Sequence, residues 1–185
     1  MANGNKHLSL LGAGGKGKDM NGIEQVNKLL QGLINRVIPQ AITVTSNTDV
    51  AMTGEAGGGE TFVPCNVVVA QAGDKLSPAA GKVRIGKGIT KVRISAAIQL
   101  ADISGTNTVY VIIRKNGGQI APNARGYLYK RETASISAIT MPEIIVPVAE
   151  NDLIELRAQV TSDTGSALAG YTYMTVENAG GGGTT

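Results

Sequence analysis

Residues 91–118, which read KVRISAAIQLADISGTNTVYVIIRKNGG, decide the fold class of this 185-residue chain. Apolar side chains alternate with polar or small ones through the first ten residues, which is the period of a strand with one buried face. These apolar side chains are Val92, Ile94, Ala96, Ile98 and Leu100. Residues 108–115 repeat the alternation, and Asn116-Gly117 then predicts a tight turn, because both residues accept a positive φ.

The same period continues outward from this segment. Residues 154–160 and 171–176 alternate in the same way, and about eight short strands are predicted between residues 61 and 177. Strands at this spacing indicate a mainly β sandwich or jelly roll. The chain is 42% hydrophobic but has no Trp and one Phe, so we expect an aliphatic core.

The N-terminal part has a different pattern. Residues 1–18 are predicted to be a flexible arm, 19–39 an amphipathic helix, 40–60 a Gly-rich connector, and 178–185 a Gly-rich tail. The helix carries a heptad seam, spaced three, four, three, four, formed by Ile23, Val26, Leu30, Leu33 and Val37. A short helix that contains Gly32 needs a partner. That partner is its own downstream domain, copies of itself, or another protein.

Charge is strongly segregated along the chain. Residues 82–131 carry ten basic and one acidic side chains, whereas residues 132–185 carry one basic and seven acidic ones. A basic middle segment could bind nucleic acid, but the aromatic and Gly motifs of the common nucleic-acid modules are missing. We therefore favour ion pairing between basic and acidic strands, and we expect no nucleic-acid partner.

No cofactor is predicted. Residues 8–19, LSLLGAGGKGKD, resemble a phosphate-binding loop as far as Gly12, Gly17 and Lys18. Asp19 then replaces the hydroxyl residue that would hold a metal ion, and no βαβ pattern follows. Oxygen ligands for calcium cluster in DISGTN and SDTGS, but neither loop has a complete set, so no metal site is predicted either.

The chain is not expected to be an enzyme. His7, the single imidazole, lies in the arm, and Cys65 is predicted to be a buried hydrophobe in VPCNVVV. Glu150 and Asp152 form an acidic pair, but they precede a strand in a turn, where solvated carboxylates are common. Because no signal peptide or transmembrane-length segment is visible, no membrane partner is expected.

The order of the β motifs resembles the tumour necrosis factor and complement globular-head superfamily. In that family a Gly-led strand enters the fold, a strand ending in Lys-Asn-Gly turns back, an Asn-Asp pair precedes an apolar strand, and an aromatic strand closes the sheet. The matching residues here are Gly88, Lys115, Asn116, Gly117, Asn151, Asp152, Tyr171 and Tyr173. The resemblance covers residues 61–177 and implies a TNF-like jelly roll that forms homotrimers.

The chain departs from the animal members in its lack of Trp and of collagen or secretory segments. It is more similar to the versions of this module in bacteriophage head-fibre, decoration and tail proteins. The resemblance thus implies a structural virion protein, assembled in the host cytoplasm and bound to the major capsid protein or another virion protein. The alternative is a tail-associated module that binds a receptor or carbohydrate on the host surface.

Candidate contact residues follow from these functions. The shell-anchoring arm would use Lys6, Leu8, Leu10, Leu11, Lys16 and Lys18. Tyrosines that could serve as sheet-surface, trimer or saccharide contacts are Tyr110, Tyr127, Tyr129, Tyr171 and Tyr173. Host recognition is predicted in the loops at 101–108 and 161–170.

Overall fold

The computed structural model describes residues 22–30, 39–53, 59–103, 107–120, 124–130, 136–161 and 164–180. The chain divides into two compact units. One contains a helix, and the other, Pro39–Gly181, contains every strand of the described residues. Two antiparallel sheets form a sandwich, so the predicted mainly β jelly roll is confirmed.

The described helix spans residues 22–30, within the range that the heptad pattern predicts. Its seam side chains Ile23, Val26 and Leu30 are 56%, 44% and 50% exposed, and Leu29 is 71% exposed. Leu33 and Val37 lie outside the described residues. The described part of the seam is therefore an exposed apolar stripe.

Sheet A has the hydrogen-bonded order β2-β13-β7-β14-β1-β4, with β11 paired to β7. Its strands are β1 (Ala41–Thr45), β2 (Val50–Thr53), β4 (Val67–Ala72), β7 (Lys91–Ala101), β11 (Ser137–Pro147), β13 (Thr164–Ala167) and β14 (Tyr173–Asn178). Sheet B has the order β10-β8-β12-β6-β5, with β3 paired to β12 and β9 to β8. Its strands are β3 (Thr61–Val63), β5 (Leu76–Ala79), β6 (Lys82–Ile85), β8 (Asn107–Lys115), β9 (Gly118–Gln119), β10 (Arg125–Lys130) and β12 (Leu153–Val160).

The core lies between the two sheets and is aliphatic, as predicted. All five apolar positions predicted for residues 91–100 are buried in β7, and β8 and β12 bury their alternate residues in the same way. Cys65 is fully buried among these side chains, and burial raises the pKa of its thiol to about 12. The thiol is therefore protonated at neutral pH and is a packing residue.

The predicted connector at 40–60 is wrong for residues 41–45 and 50–53, which form β1 and β2. β1 lies inside sheet A between β14 and β4, with Ile42 and Val44 fully buried. Small and polar neighbours such as Thr43 weakened the apolar alternation of this segment. The sandwich thus begins before residue 61, and β14 ends at Asn178, one residue into the predicted tail.

Two motifs that carry the family resemblance meet at one corner of the sandwich. Asn116 and Gly117 have φ of 53° and 77°, as the turn signal predicts. The Asn116 amide donates to Asp152 Oδ1 at 2.7 Å and its oxygen accepts from the Leu153 N–H at 2.8 Å, while Asp152 Oδ2 accepts from the Ala149 N–H at 2.9 Å. Burial opposes ionisation of Asp152, but these hydrogen bonds and the nearby Lys115 ammonium hold its pKa below the ordinary value. This carboxylate therefore stabilises the corner.

Candidate functional site

Three of the five predicted tyrosines come together on the outer face of sheet B. Tyr127 lies directly opposite Tyr110 in the β10–β8 ladder, with ring centroids 6.4 Å apart, and Tyr129 lies opposite Thr108. Tyr127 and Tyr129 are 72% and 54% exposed. Together with Arg125 they line an open depression of about 650 Å³. We call these five residues the tyrosine groove.

Arg125 gives the tyrosine groove a positive charge. Its guanidinium carbon lies 5.0 Å from the centroid of the Tyr110 ring, a cation–π contact. Arg125 forms no ion pair within the part of the chain that the structure describes. A guanidinium stacked on a ring keeps its N–H edges available for a planar anion.

Several charged side chains of sheet B and of the residue before β3 form ion pairs with one another. Glu155, fully buried, lies 2.5 Å from Lys82 Nζ and 3.0 Å from Arg157 Nη2, and Arg114 pairs with Glu60. Burial opposes ionisation of Glu155, but these two cations hold its pKa below the ordinary value.

Ion pairs between the basic middle and the acidic end of the chain also occur elsewhere. Arg93 Nε lies 3.1 Å from Glu143 Oε1, and Lys115 Nζ lies 3.6 Å from Asp152 Oδ2. The predicted pairing of basic strands with acidic ones is therefore seen at these residues and at Lys82 with Glu155.

A glycine sets the position of the strand that carries the groove. Gly126, between Arg125 and Tyr127, points inward, and a Cβ there would come within 2.8 Å of the Thr140 carbonyl oxygen on β11. The missing side chain lets β10, which carries Arg125 and Tyr127, approach β11 closely.

Of the other two tyrosines, Tyr173 is the first residue of β14 in sheet A and Tyr171 lies two residues before it; neither lines the groove. Tyr173 lies between Thr45 of β1 and Ala97 of β7, and Tyr171 precedes β14 and is 67% exposed. The outward residues around Tyr173 are mostly small, and Thr43 Oγ1 lies 3.0 Å from Thr175 Oγ1. The edge strand β4 adds Val67, which lies opposite the outward Thr45 and is 39% exposed. Its neighbour Val68 lies opposite the buried Val44 and therefore belongs to the other face of the strand. We call this combination of the β1, β4, β7 and β14 outward side chains the sheet A face.

The remaining predictions concern the N-terminal arm and the two recognition loops. The arm residues Lys6, Leu8, Leu10, Leu11, Lys16 and Lys18 lie outside the described residues. The predicted recognition loop 161–170 is wrong in part, because residues 164–167 form β13, which pairs with β2 and β7. Ser104 to Thr106 of the other loop lie outside the described residues.

Nothing in the described residues marks a metal site or a membrane span. They contain no group of three or more His, Cys, Asp or Glu side chains placed to hold a metal ion. No helix within the described ranges is both long enough and apolar enough to cross a membrane.

Comparisons with known proteins identify the fold. No family model matches the sequence, and no curated protein matches it. Among solved structures, the chain is similar to Eiger TNF from S. frugiperda, with 8% identity and a TM-score of 0.55 over 77% of this chain and 94% of that one. It is also similar to murine APRIL, with 10% identity and a TM-score of 0.54 over 76% of this chain and 98% of that one. The resemblance to the TNF-like jelly roll is thus confirmed at the level of fold.

Arg125 is the groove residue that sequence reasoning missed, whereas Thr108 is the last residue of the predicted 101–108 recognition loop and was not predicted to lie beside tyrosines. Arg125 and Thr108 are outward polar residues of strands, and many other polar side chains of the two sheets have the same pattern. The signal that could have found Arg125 is its position two residues before Tyr127, which places both side chains on one face of a strand.

Proposed function

We propose that the protein is a structural component of a bacteriophage virion, a head fibre or capsid decoration protein whose jelly-roll heads form a homotrimer. The N-terminal arm and helix would anchor it to the major capsid protein or another virion protein. The virion assignment draws on the sequence resemblance to phage modules, and the TNF-like fold is compatible with a homotrimer.

The observation that carries the proposal is the apolar surface that a single chain leaves uncovered. The sheet A face combines the exposed Val67 at the β4 edge with Tyr173 among small side chains, and the helix exposes Ile23, Val26 and Leu30. Exposed apolar surface of this kind marks a protein interface, and an open sheet edge invites pairing. Closed symmetry would bury the same surface in every copy.

The proposal is tested on particles. Purified virions of the phage that encodes the chain under this proposal are probed with antibody against the sandwich domain, and the chain is expected in intact particles at a multiple of three copies per attachment point. A variant that lacks residues 1–38 should fail to join the particles. Absence of the chain from purified virions would contradict the proposal.

The tyrosine groove favours a second function, a tail-associated module that binds a receptor or carbohydrate of the host surface. Exposed aromatic rings beside hydrogen-bonding groups suit saccharide binding, and this groove lies on the sheet opposite to the sheet A face. Adsorption of the purified protein to host cells, and its loss in Tyr127→Ala, tests this function. Equal adsorption of the two proteins would contradict it.

A further inference from the structure

We propose that the tyrosine groove binds a carboxylated saccharide, with the sugar ring stacked on Tyr127 or Tyr129 and the carboxylate paired with Arg125. The inference rests on the second proposed function and specifies the chemical class of its ligand.

The arrangement of side chains along β10 supports an oligosaccharide. Arg125, Tyr127 and Tyr129 project from alternate positions of one strand, so they form a row about 13 Å long. The rings are exposed, and Thr108 on the adjacent strand supplies a hydroxyl at the Tyr129 end. Apolar ring faces beside hydrogen-bonding groups match a sugar, which has an apolar face and hydroxyl edges.

The charge at the groove selects an acidic ligand. Arg125 is exposed and pairs with no carboxylate of the described residues, while its stacking on Tyr110 orients the guanidinium. The acids Glu155 on β12 and Glu60 before β3 are already engaged by Lys82, Arg157 and Arg114. A carboxylate on the ligand would therefore meet an oriented donor pair with little repulsion.

The same features fit a single-stranded nucleic acid less well. Stacking platforms for bases are accompanied by a run of cations that follows the phosphate backbone. Here Arg125 is the one cation that lines the described groove, and Lys82, Arg114 and Arg157 are held in ion pairs. Oligonucleotide binding is therefore one of the outcomes that the test must separate.

The experiment is a calorimetric titration of the full-length protein with four probes: trigalacturonic acid, 3′-sialyllactose, neutral maltotriose and the oligonucleotide dT10. We expect at least one acidic saccharide to bind at least about tenfold more tightly than maltotriose. Arg125→Gln should lower that affinity about tenfold, and Tyr127→Ala should do the same, whereas Tyr127→Phe should retain it. Tyr171→Ala, an exposed tyrosine outside the groove, is the matched control and should bind as the parent does.

The outcomes separate the ligand class from the function. Equal binding of neutral and acidic sugars, unchanged by Arg125→Gln, would overturn the acidic class and leave the carbohydrate-binding function standing. Tighter binding of dT10, falling steeply with salt, would overturn the inference in favour of nucleic acid. If the protein unfolds cooperatively on heating, and is therefore folded, but binds none of the four probes, the inference is overturned. The host-cell adsorption experiment then decides separately whether the second proposed function survives.

Discussion

At the residue scale, Glu155 shows how the segregated charges of the chain are used. Its carboxylate is fully buried on sheet B between Lys82 and Arg157. Glu155→Gln leaves both cations without their acidic partner, so we expect the free energy of unfolding to fall by about 1–3 kcal/mol. Urea unfolding measures this loss. The exposed Glu150→Gln is the control and should change stability little; equal stability of the two variants would refute the role given to Glu155.

The carboxylates of Glu155 and Asp152 should make the free energy of unfolding depend on pH. The pKa values of Glu155 and Asp152 are lowered in the folded state, so the unfolded chain binds more protons as the pH falls. The two carboxylates contribute their full stabilisation above pH 4.5, the ordinary pKa of Glu. They lose it as the pH falls through their lower pKa values in the folded state. We expect the urea midpoint of the parent to decline steeply between about pH 5 and 3. A Glu155→Gln, Asp152→Asn double variant should start lower and decline less, and parallel curves would contradict this linkage.

The candidate site illustrates what the sequence can predict of single residues. Tyr110, Tyr127 and Tyr129 were identifiable as exposed aromatic candidates, because tyrosine in a strand commonly projects from a sheet surface. Which of the five tyrosines share a surface depends on the register between β8 and β10, and a pattern within one strand carries no information about register. The stacking of Arg125 on Tyr110 follows from the same register.

At the scale of elements, strand β1 tests where the sandwich begins. Deletion of residues 1–38 should leave a folded domain, because Pro39–Gly181 forms one compact unit. Deletion of residues 1–46 removes β1, whose Ile42 and Val44 are fully buried between β14 and β4. We expect the longer deletion to be insoluble or unfolded by circular dichroism. If it unfolded as cooperatively as the shorter one, β1 would be dispensable.

The close approach of β10 to β11 gives a second test at this scale. Gly126→Ala would place a methyl group against the Thr140 carbonyl oxygen, which forces the strands apart. We expect a loss of about 1–3 kcal/mol in the free energy of unfolding. Gly59→Ala is the control, since a Cβ at Gly59 meets nothing within 4 Å. Similar stability of both variants would contradict the packing argument.

Strands with one wholly buried face were predictable, and short strands with small side chains were not. β7, β8 and β12 alternate apolar and polar residues over eight or more positions. β2 and β13 are four residues long, read VAMT and TGSA, and are held by pairing with each other. Such segments are too short to show a period of two, and they become strands by pairing with their neighbours.

At the scale of the whole molecule, the sheet A face is the proposed contact between copies. Tyr173→Glu would place a charge among the small side chains of this face, and burying an unpaired charge is costly. We expect this variant to dissociate into monomers in sedimentation experiments. Tyr127→Glu, on the opposite sheet, is the matched control and should keep the parent assembly; dissociation of both variants would argue against an interface confined to sheet A.

The solution mass of the full-length protein by light scattering tests the central claim, a homotrimeric jelly-roll module, most directly. Three chains of 19.0 kDa give about 57 kDa, and we predict that mass over a wide range of concentration. A single species of 19.0 kDa at all concentrations would contradict the claim. The sheet A face and the helix stripe would then need a partner other than the chain itself.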